Sequence, residues 1–198
     1  LITAIGVSYF LQNAALLIWG SSPKTFSSVT GSWSLKLFDG QLIVSGVTIV
    51  TIVACILIMI CLTLFTNKTK TGTAMRAVSE DKAAAGLMGI NVNTTISLTF
   101  AIGSGLAAVA ALMYCSTYPR VTTDMGSMMG MKAFIAAVLG GIGIIPGAMI
   151  GGILVGLIEI FVKLFAPGWY EAVTYGTLIV ILLVKPAGIL GKNTGEKV

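Results

Sequence analysis

Three long stretches of the sequence contain no Lys, Arg, Asp or Glu: residues 40–67, 83–119 and 133–158. Each of them reaches the roughly 20 residues that a helix needs to cross about 30 Å of hydrocarbon. A soluble domain is excluded, because charged residues make up only 10% of the chain and cannot cover a water-exposed surface. No alternating barrel pattern is present, so the sequence predicts an all-α, polytopic transmembrane helical bundle.

The residue types that carry most catalytic and metal chemistry are scarce. The chain has no histidine, which excludes a Ser-His or Cys-His nucleophile pair. Cys55, Cys61 and Cys115 lie in apolar stretches and lack the spacing of a zinc site or a disulfide framework. An intramembrane enzyme is therefore disfavoured. The net charge of +5 comes from basic residues spread over several loops, and no basic block interleaved with aromatics predicts nucleic-acid binding.

Hydropathy and turn residues divide the chain into five membrane segments of one domain, residues 1–198. Their approximate bounds are 1–19, 41–65, 94–118, 132–165 and 169–184. Trp169 and Tyr170 at one end of the last segment, and Lys185 at the other, are typical interface anchors. The chain begins at Leu1 inside an apolar stretch without a signal-peptide n-region, so we expect further spans upstream.

The loop over residues 66–93 is predicted to be cytoplasmic. Four of the twelve basic residues lie in it: Lys68, Lys70, Arg76 and Lys82. Positive charge is enriched on the cytoplasmic side, so the next segment ends at the outer face. The basic tail with Lys185, Lys192 and Lys197 then reaches the cytoplasm only if residues 132–165 enter the membrane and return. The number of membrane crossings that brings the tail to the cytoplasm therefore favours a re-entrant or broken segment over residues 132–165.

Residues 132–165 cannot form one straight helix, because glycines and a proline crowd the first half. We predict a half-helix over 132–139, a break over 140–146 and a full helix from about 147 to 165. Unwound backbone in a membrane is found only where it is buried in protein or lines a watery path. The candidate pathway or hinge residues are Gly140, Gly141, Gly143, Pro146 and Gly147. A close-packed break without solute contact is the alternative for each glycine.

The second helix of this stretch carries two further features. Ala148, Gly152 and Gly156 recur at four-residue spacing, which predicts a stripe where another helix approaches closely. Glu159 is an ionisable residue inside the same helix, and such residues are functional candidates. A snorkelling carboxylate near Lys163 at i+4 is the alternative for Glu159.

The cytoplasmic loop contains a predicted helix of its own. Gly72 and Gly89 bracket about 16 residues of mostly good helix formers, so we predict one helix of roughly 24 Å that is stopped by Gly89. Its apolar face is formed by Ala77, Ala84, Leu87 and Met88. A helix too polar to cross the membrane but apolar along one side suits docking into a partner's groove. Packing beneath the bundle as an interfacial helix is the alternative.

Four runs of the sequence together resemble one family. They are residues 76–91, 100–108, 132–148 and 185–191. In this order they are similar to the permease subunit of bacterial ABC importers for branched-chain amino acids, a family of inner-membrane binding-protein-dependent transport permeases. The likeness covers most of the chain and implies that it is the C-terminal part of a permease whose N-terminal spans are missing.

The resemblance also implies a role for the loop helix. It resembles the coupling helix that sits in a cleft of the cytoplasmic ATPase. The wider importer signature Glu-Ala-Ala followed by Gly is loosely echoed by Glu80, Ala84 and Gly89. The candidate ATPase-coupling residues are Arg76, Ala77, Glu80, Asp81, Ala84 and Gly89. A solvated charge on a helix face is the alternative for the charged members.

The implied function is ATP-driven import of leucine, isoleucine and valine by alternating access. The resemblance also implies that ATP and Mg²⁺ bind separate ABC ATPase subunits. This chain has no Gly-x-x-x-x-Gly-Lys-Ser/Thr pattern, and no cofactor is expected on it. The other implied partners are a second homologous permease subunit, an extracytoplasmic solute-binding protein and the lipid of the bacterial inner membrane. The alternatives are a permease for other amino acids, urea or amides, and a non-ABC channel or structural membrane protein.

Overall fold

The computed structural model describes residues 2–27, 34–37, 42–185 and 187–191. The helices are α1 (Ile2–Trp19), α2 (Gly46–Lys68), α3 (Lys70–Glu80), α4 (Lys82–Leu87), α5 (Val92–Thr117), α6 (Met125–Gly140), α7 (Ile145–Phe165) and α8 (Tyr170–Val184). The short strands are β1 (Lys24–Thr25), β2 (Ser34–Leu37), β3 (Leu42–Ser45) and β4 (Arg120–Val121). Helices dominate the described residues, which confirms the predicted all-α class.

Large apolar side chains are exposed along most of these helices. In the described part of the chain, α2, α5 and α7 are long and apolar enough to cross a membrane, while α6 and α8 are apolar but shorter. Leu57 of α2, Phe161 of α7 and Leu183 of α8 are 63%, 64% and 79% exposed. Such exposure is unfavourable in water but not in hydrocarbon, because lipid tails are as apolar as leucine. The pattern is that of a polytopic membrane protein.

The chain divides into two compact units, Leu1–Thr123 and Asp124–Val198. In the first unit, α2 packs against both α3 and α5. Val47 at the start of α2 and Cys115 near the end of α5 are 7% and 6% exposed. Most of the remaining surface of α5 is open, so the interior of this unit is small.

Two antiparallel strand pairs shape the connections of the first unit. β1 pairs with β4, which aligns Lys24 with Val121 and Thr25 with Arg120. This pairing joins the connection that follows α1 to the connection that follows α5. β2 and β3 form a hairpin that leads directly into α2. The connections after α1 and after α5 therefore lie at the same end of the unit.

The second unit is an antiparallel pair of helices, α6 and α7, with α8 packed against both. Its core is formed by Ile135 and Leu139, each 1% exposed, with Ala136 and Val155 beside them. Side chains of α7 and α8 pack around this core: Leu154, Tyr175, Leu178 and Ile181. Burial of such aliphatic side chains contributes about 1.5–3 kcal/mol each in aqueous transfer terms, but within a membrane the gain comes chiefly from close packing.

Three of the five predicted segments agree with α1, α5 and α8 to within two residues at each end. The segment predicted over 41–65 was wrong at its start, because residues 42–45 form β3 and α2 begins only at Gly46. A short run of branched apolar residues satisfies strand and helix patterns equally well, and the pairing with β2 decides between them. Gln41 lies outside the described residues, as do Lys192 and Lys197 of the predicted cytoplasmic tail.

The prediction of a half-helix over 132–139 was also wrong. α6 begins at Met125 and has 16 residues, which is about 24 Å. Gly126 and Gly130 lie within α6, although glycine costs about 1 kcal/mol relative to alanine in a helix. In an apolar environment the backbone hydrogen bonds of the helix outweigh that cost, because no water is available to replace them.

The break between α6 and α7 exists, but it is shorter than predicted. Only residues 141–144 are outside the two helices, whereas Gly140, Ile145 and Pro146 are helical. Pro146 is tolerated in the first turn of α7, where its missing N–H has no intrahelical partner to lose. The chain thus reverses direction in four residues and forms a tight helical hairpin.

Candidate functional site

The predicted coupling loop is helical for most of its length and follows α2 without an extended linker. Thr69 both ends α2 and begins α3: its N–H donates to Phe65 O (3.1 Å), and its Oγ1 accepts from Gly72 N–H (3.0 Å). A Cβ on Gly72 would lie 2.4 Å from Phe65 O. Only glycine therefore lets α3 fold back so closely on the end of α2, where it also packs against α5.

A carboxylate divides the loop helix, so the prediction of one continuous helix between Gly72 and Gly89 was wrong. Asp81 is extended (φ −150°, ψ 114°) between α3 and α4. Its Oδ1 accepts hydrogen bonds from the N–H groups of Ala83 (2.7 Å) and Ala84 (3.1 Å). Asp is among the best N-cap residues, because its side chain satisfies the free amides of a first helical turn. The coupling candidate Asp81 therefore starts α4.

The predicted helix stop at Gly89 is confirmed. Gly89 has a φ of +81°, in the left-handed region that favours glycine. Its N–H donates to Gly86 O (3.0 Å), and the N–H of Ile90 donates to Ala85 O (3.1 Å). These two bonds form a Schellman motif, which satisfies carbonyls at the end of α4. Asn91 then caps the next helix, α5. Together with the side-chain cap at its start, the Schellman motif fixes both ends of α4 by local hydrogen bonds.

α4 combines a buried face with an exposed apolar end. Ala85 of α4 is 3% exposed, and Val78 of α3 is 6% exposed. Leu87 and Met88, at the end of α4, are 91% and 84% exposed. Within the predicted apolar face only Ala77 is half-buried, and the other three residues are exposed. We call Leu87 and Met88 the apolar tip. It lies in the most polar loop of the chain, and exposed apolar side chains of this kind mark contacts with a partner or with the membrane.

Charged candidates project from the same loop. Arg76 is exposed, and its Nη1 donates to Asn67 Oδ1 (3.2 Å), which ties α3 to the end of α2. Glu80 and Lys82 are exposed on either side of Asp81. Among the described residues, neither of these two forms an ion pair. The loop therefore offers free charges of both signs close in sequence to the apolar tip.

At the junction of α6 and α7 the two backbones touch. A Cβ on Gly140 would lie 2.0 Å from Gly147 O, and a Cβ on Gly151 would lie 2.1 Å from Ala136 O. Both distances are far below van der Waals contact, so a larger residue at either position forces the helices apart. The buried stripe of α7 is formed by Gly147, Gly151 and Val155.

The stripe predicted over Ala148, Gly152 and Gly156 was therefore wrong by one residue. A Cβ on Gly152 would meet only the Ala136 side chain, at 3.9 Å, and one on Gly156 would meet nothing within 4 Å. Both sets of residues have four-residue spacing, so spacing alone does not distinguish them. The contact with α6 determines which set is buried.

The five pathway or hinge candidates have different surroundings. Gly140, Gly141 and Gly147 are buried against neighbouring backbone. Gly143 is exposed, with a φ of +90° and no atom within 4 Å of an added Cβ. Pro146 is half-buried in the first turn of α7. The structure thus brings four of them together at a close-packed junction and leaves Gly143 open at its edge.

At the other end of the hairpin the second unit holds an ionic cluster. The Glu159 carboxylate of α7 pairs with the Lys132 ammonium of α6, and Lys163 Nζ lies 3.4 Å from Glu159 Oε2. The side chain of Glu159 is only 13% exposed, and that of Lys132 is 23% exposed. Both ammonium groups face the ring of Tyr170, with Nζ 5.5 Å (Lys132) and 4.5 Å (Lys163) from its centroid. The Tyr170 hydroxyl in turn donates to Glu171 (3.0 Å).

Lys132 is the partner that sequence reasoning missed. It is the only charged residue between Asp124 and Glu159. Two isolated opposite charges in consecutive apolar helices are each costly in a membrane unless they pair. That argument was available from the sequence and would have identified the inter-helix pair, whereas the i+4 spacing pointed to Lys163 alone.

A family model described as "Branched-chain amino acid transport system / permease component" matches residues 1–183. The chain belongs to this permease family. It is 43% identical over 205 residues to the high-affinity branched-chain amino acid transport system permease protein BraD of Pseudomonas aeruginosa, covering 100% of the chain and 66% of the relative. The corresponding LivH protein of Salmonella typhimurium is 44% identical over 209 residues, covering 100% of the chain and 65% of the relative.

A more distant relative is the probable branched-chain amino acid transport permease protein LivH of Methanocaldococcus jannaschii, 30% identical over 190 residues. This match covers 87% of the chain and 58% of the relative. The permease-family chain spans about two thirds of the length of the bacterial relatives. No solved structure matches it. The family match and the long apolar helices confirm the predicted family and the multi-pass membrane location.

Proposed function

We propose that the chain is the membrane-spanning permease subunit of an ATP-driven importer that carries leucine, isoleucine and valine across the inner membrane of a bacterial cell. The observation that carries this proposal is its likeness, over its full length, to relatives named as branched-chain amino acid permeases. The capped α4 with its exposed apolar tip supports an intermittent or permanent partner outside the membrane. A channel or a structural membrane protein needs no such element.

In this proposal α3 and α4 form the coupling element of the permease. The apolar tip enters a groove of the cytoplasmic ATPase, and burial of its two side chains contributes about 1.5–3 kcal/mol each. Arg76, Glu80 and Asp81 supply polar contacts at the edge of the groove. Because α3 packs against both α2 and α5, a displacement of α4 is transmitted to two long helices at once.

Transport follows the alternating-access scheme. ATP and Mg²⁺ bind the partner ATPases, whose closure moves the coupling element and switches the helices between outward-open and inward-open arrangements. An extracytoplasmic binding protein delivers the amino acid, and a second homologous permease subunit completes the path. This chain binds no cofactor in the scheme. Its own contribution is the coupling element and part of the membrane path.

A pathway or hinge role for the glycine-rich break stays a prediction. The backbone contacts of Gly140, Gly141 and Gly147 support the alternative of a close-packed junction for these three residues. Gly143, with open space around it, is the candidate that retains room to move.

The coupling role is tested with the double substitution Leu87→Ser and Met88→Ser in the complete transporter. Because both side chains are exposed, the fold and membrane insertion are expected to persist, while co-purification with the ATPase falls by about tenfold or more, given the apolar burial lost. Lys70→Ser, a change at another exposed residue at the start of α3, is the matched control and is expected to keep the ATPase bound. Unchanged co-purification of the double variant contradicts the coupling role.

The solute is tested by uptake of labelled leucine, isoleucine, valine and urea into vesicles that contain the complete transporter and its binding protein. We expect uptake of the three branched amino acids only, and only with ATP. Selective urea uptake favours the alternative of a permease for another solute. Uptake without ATP favours a channel.

A further inference from the structure

The segment that follows α8 turns back onto the end of α6. The N–H of Ile189 donates to Leu139 O (2.9 Å), and the N–H of Leu190 donates to Gly140 O (3.2 Å). The N–H of Gly141 satisfies the two carbonyls that precede them, at 3.0 and 3.3 Å. In an isolated helix the last four carbonyls have no partner. Here all four are satisfied, half of them by residues that lie fifty positions later in the chain.

The two backbones meet through glycines. Gly188 has a φ of +78°, and a Cβ on it would lie 2.6 Å from the Cα and N atoms of Gly141. Gly141 has a φ of +108°, and a Cβ on it would lie 2.8 Å from Gly191 N. Both residues thus need glycine twice, for the backbone conformation and for the contact. The run 185–191, which helped to indicate the family, therefore has a defined structural partner.

The segment also holds itself in shape. The Gly188 N–H donates to Lys185 O (2.9 Å), and Lys185 Nζ donates to Ile189 O (2.7 Å). These bonds close a turn at the end of α8 and present the N–H groups of Ile189 and Leu190 to α6. We call residues 187–191 the clasp.

We propose that the clasp locks α8 to the α6–α7 junction, so that the three helices move as one body during transport, and that Gly188 is the residue that positions it. At the opposite end the Lys132–Glu159 pair holds α6 to α7, and the core around Leu139 joins all three helices between these points. Alternating access needs bodies that rotate without internal slippage. The role of the clasp in transport rests on the proposed function, whereas the contact between the clasp and the end of α6 does not.

Two stop codons test the clasp in the complete transporter. A stop after Lys185 removes the clasp, and a stop after Gly191 keeps it and removes only residues 192–198. We expect the first truncation to lower the maximal uptake rate by about tenfold or more and to raise the ATP hydrolysed per solute, with an unchanged half-saturating solute concentration. The second truncation keeps wild-type values. Equal uptake by the two truncated proteins overturns the proposal.

A glycine pair separates the contact from backbone strain. Gly188→Ala and Gly20→Ala both place alanine at a positive φ (+78° and +81°), but only at residue 188 does the new Cβ collide with backbone. We expect Gly188→Ala to reproduce the uncoupled transport of the first truncation and Gly20→Ala to stay close to wild type. If both variants behave alike, the clasp contact has no role in transport.

Hydrogen exchange tests the closure without any transport assay. In the wild-type protein the amides of Ile189 and Leu190 are expected to be protected, and in Gly188→Ala they exchange like open chain while the amides of α2 and α5 keep their protection. Free exchange of both amides in the wild type overturns the clasp. Protected amides in a transporter that carries no branched-chain amino acid support the clasp and contradict the proposed function instead.

Discussion

Single glycines of α7 that look alike in the sequence have opposite surroundings. Gly151 faces the backbone of α6, whereas Gly156, five residues later, faces open space. The first allows two helices to touch, and the second only weakens its own helix, since glycine costs about 0.5–1 kcal/mol relative to alanine there. Residue type and spacing are the same in both cases, so the role of each glycine is set by the neighbouring helix.

This difference gives a prediction for one pair of substitutions. Gly151→Ala is expected to destabilise the protein by about 1–3 kcal/mol, because its Cβ cannot fit against Ala136 O without separating the helices. Gly156→Ala is the matched control on the same helix and is expected to be neutral or stabilising by up to about 1 kcal/mol. Denaturant unfolding of the purified protein in mixed micelles measures both. A similar loss of stability in the two variants contradicts the close contact.

Pairs of elements are held together by interactions that local sequence rules do not contain. The predicted stop at Gly89 was right because a Schellman motif is local and depends on the glycine itself. The break at Asp81 was missed, although a cap is local too, because Asp81 is surrounded by good helix formers. The register of α6 on α7 was one residue wrong, and β1–β4 was not predicted at all. Both depend on contacts between different elements, which the residue spacing within one element does not encode.

The Lys132–Glu159 pair gives a prediction at the scale of two helices. Replacing either residue by Met leaves one charge without its main partner in an apolar environment, so each single variant is expected to be less stable than the wild type. The double variant recovers part of the loss, with an interaction energy of about 0.5–3 kcal/mol in a double-mutant cycle. Lys163→Met, at a side chain that is 49% exposed, is expected to have a smaller effect. Additive losses contradict an inter-helix ion pair.

At the scale of the whole molecule, the first unit has two distinguishable ends. The connections after α1 and after α5 are joined by β1 and β4, and the coupling loop lies between the end of α2 and the start of α5. An odd number of crossings therefore separates the coupling loop from the paired strands. Hydropathy and charge predicted that alternation, because long uncharged runs and clustered lysines are properties of the sequence itself.

The orientation is tested with single cysteines in a protein whose Cys55, Cys61 and Cys115 have been replaced. Ser79→Cys, in α3, is expected to react with a membrane-impermeant maleimide only in inside-out vesicles, because the basic loop over residues 66–93 is predicted to face the cytoplasm. Ser22→Cys, beside β1, is expected to react in intact cells. The reverse pattern of labelling contradicts the predicted orientation and, with it, access of the apolar tip to a cytoplasmic ATPase.

The pairing of β1 with β4 also sets an order of events during synthesis. Its two strands are about 100 residues apart in the chain, which corresponds to about 5–20 s of translation. Until the ribosome has produced α5 and the connection after it has reached the same side, the edge of β1 has no partner in this pairing. The first unit therefore closes only after its last long helix has been inserted.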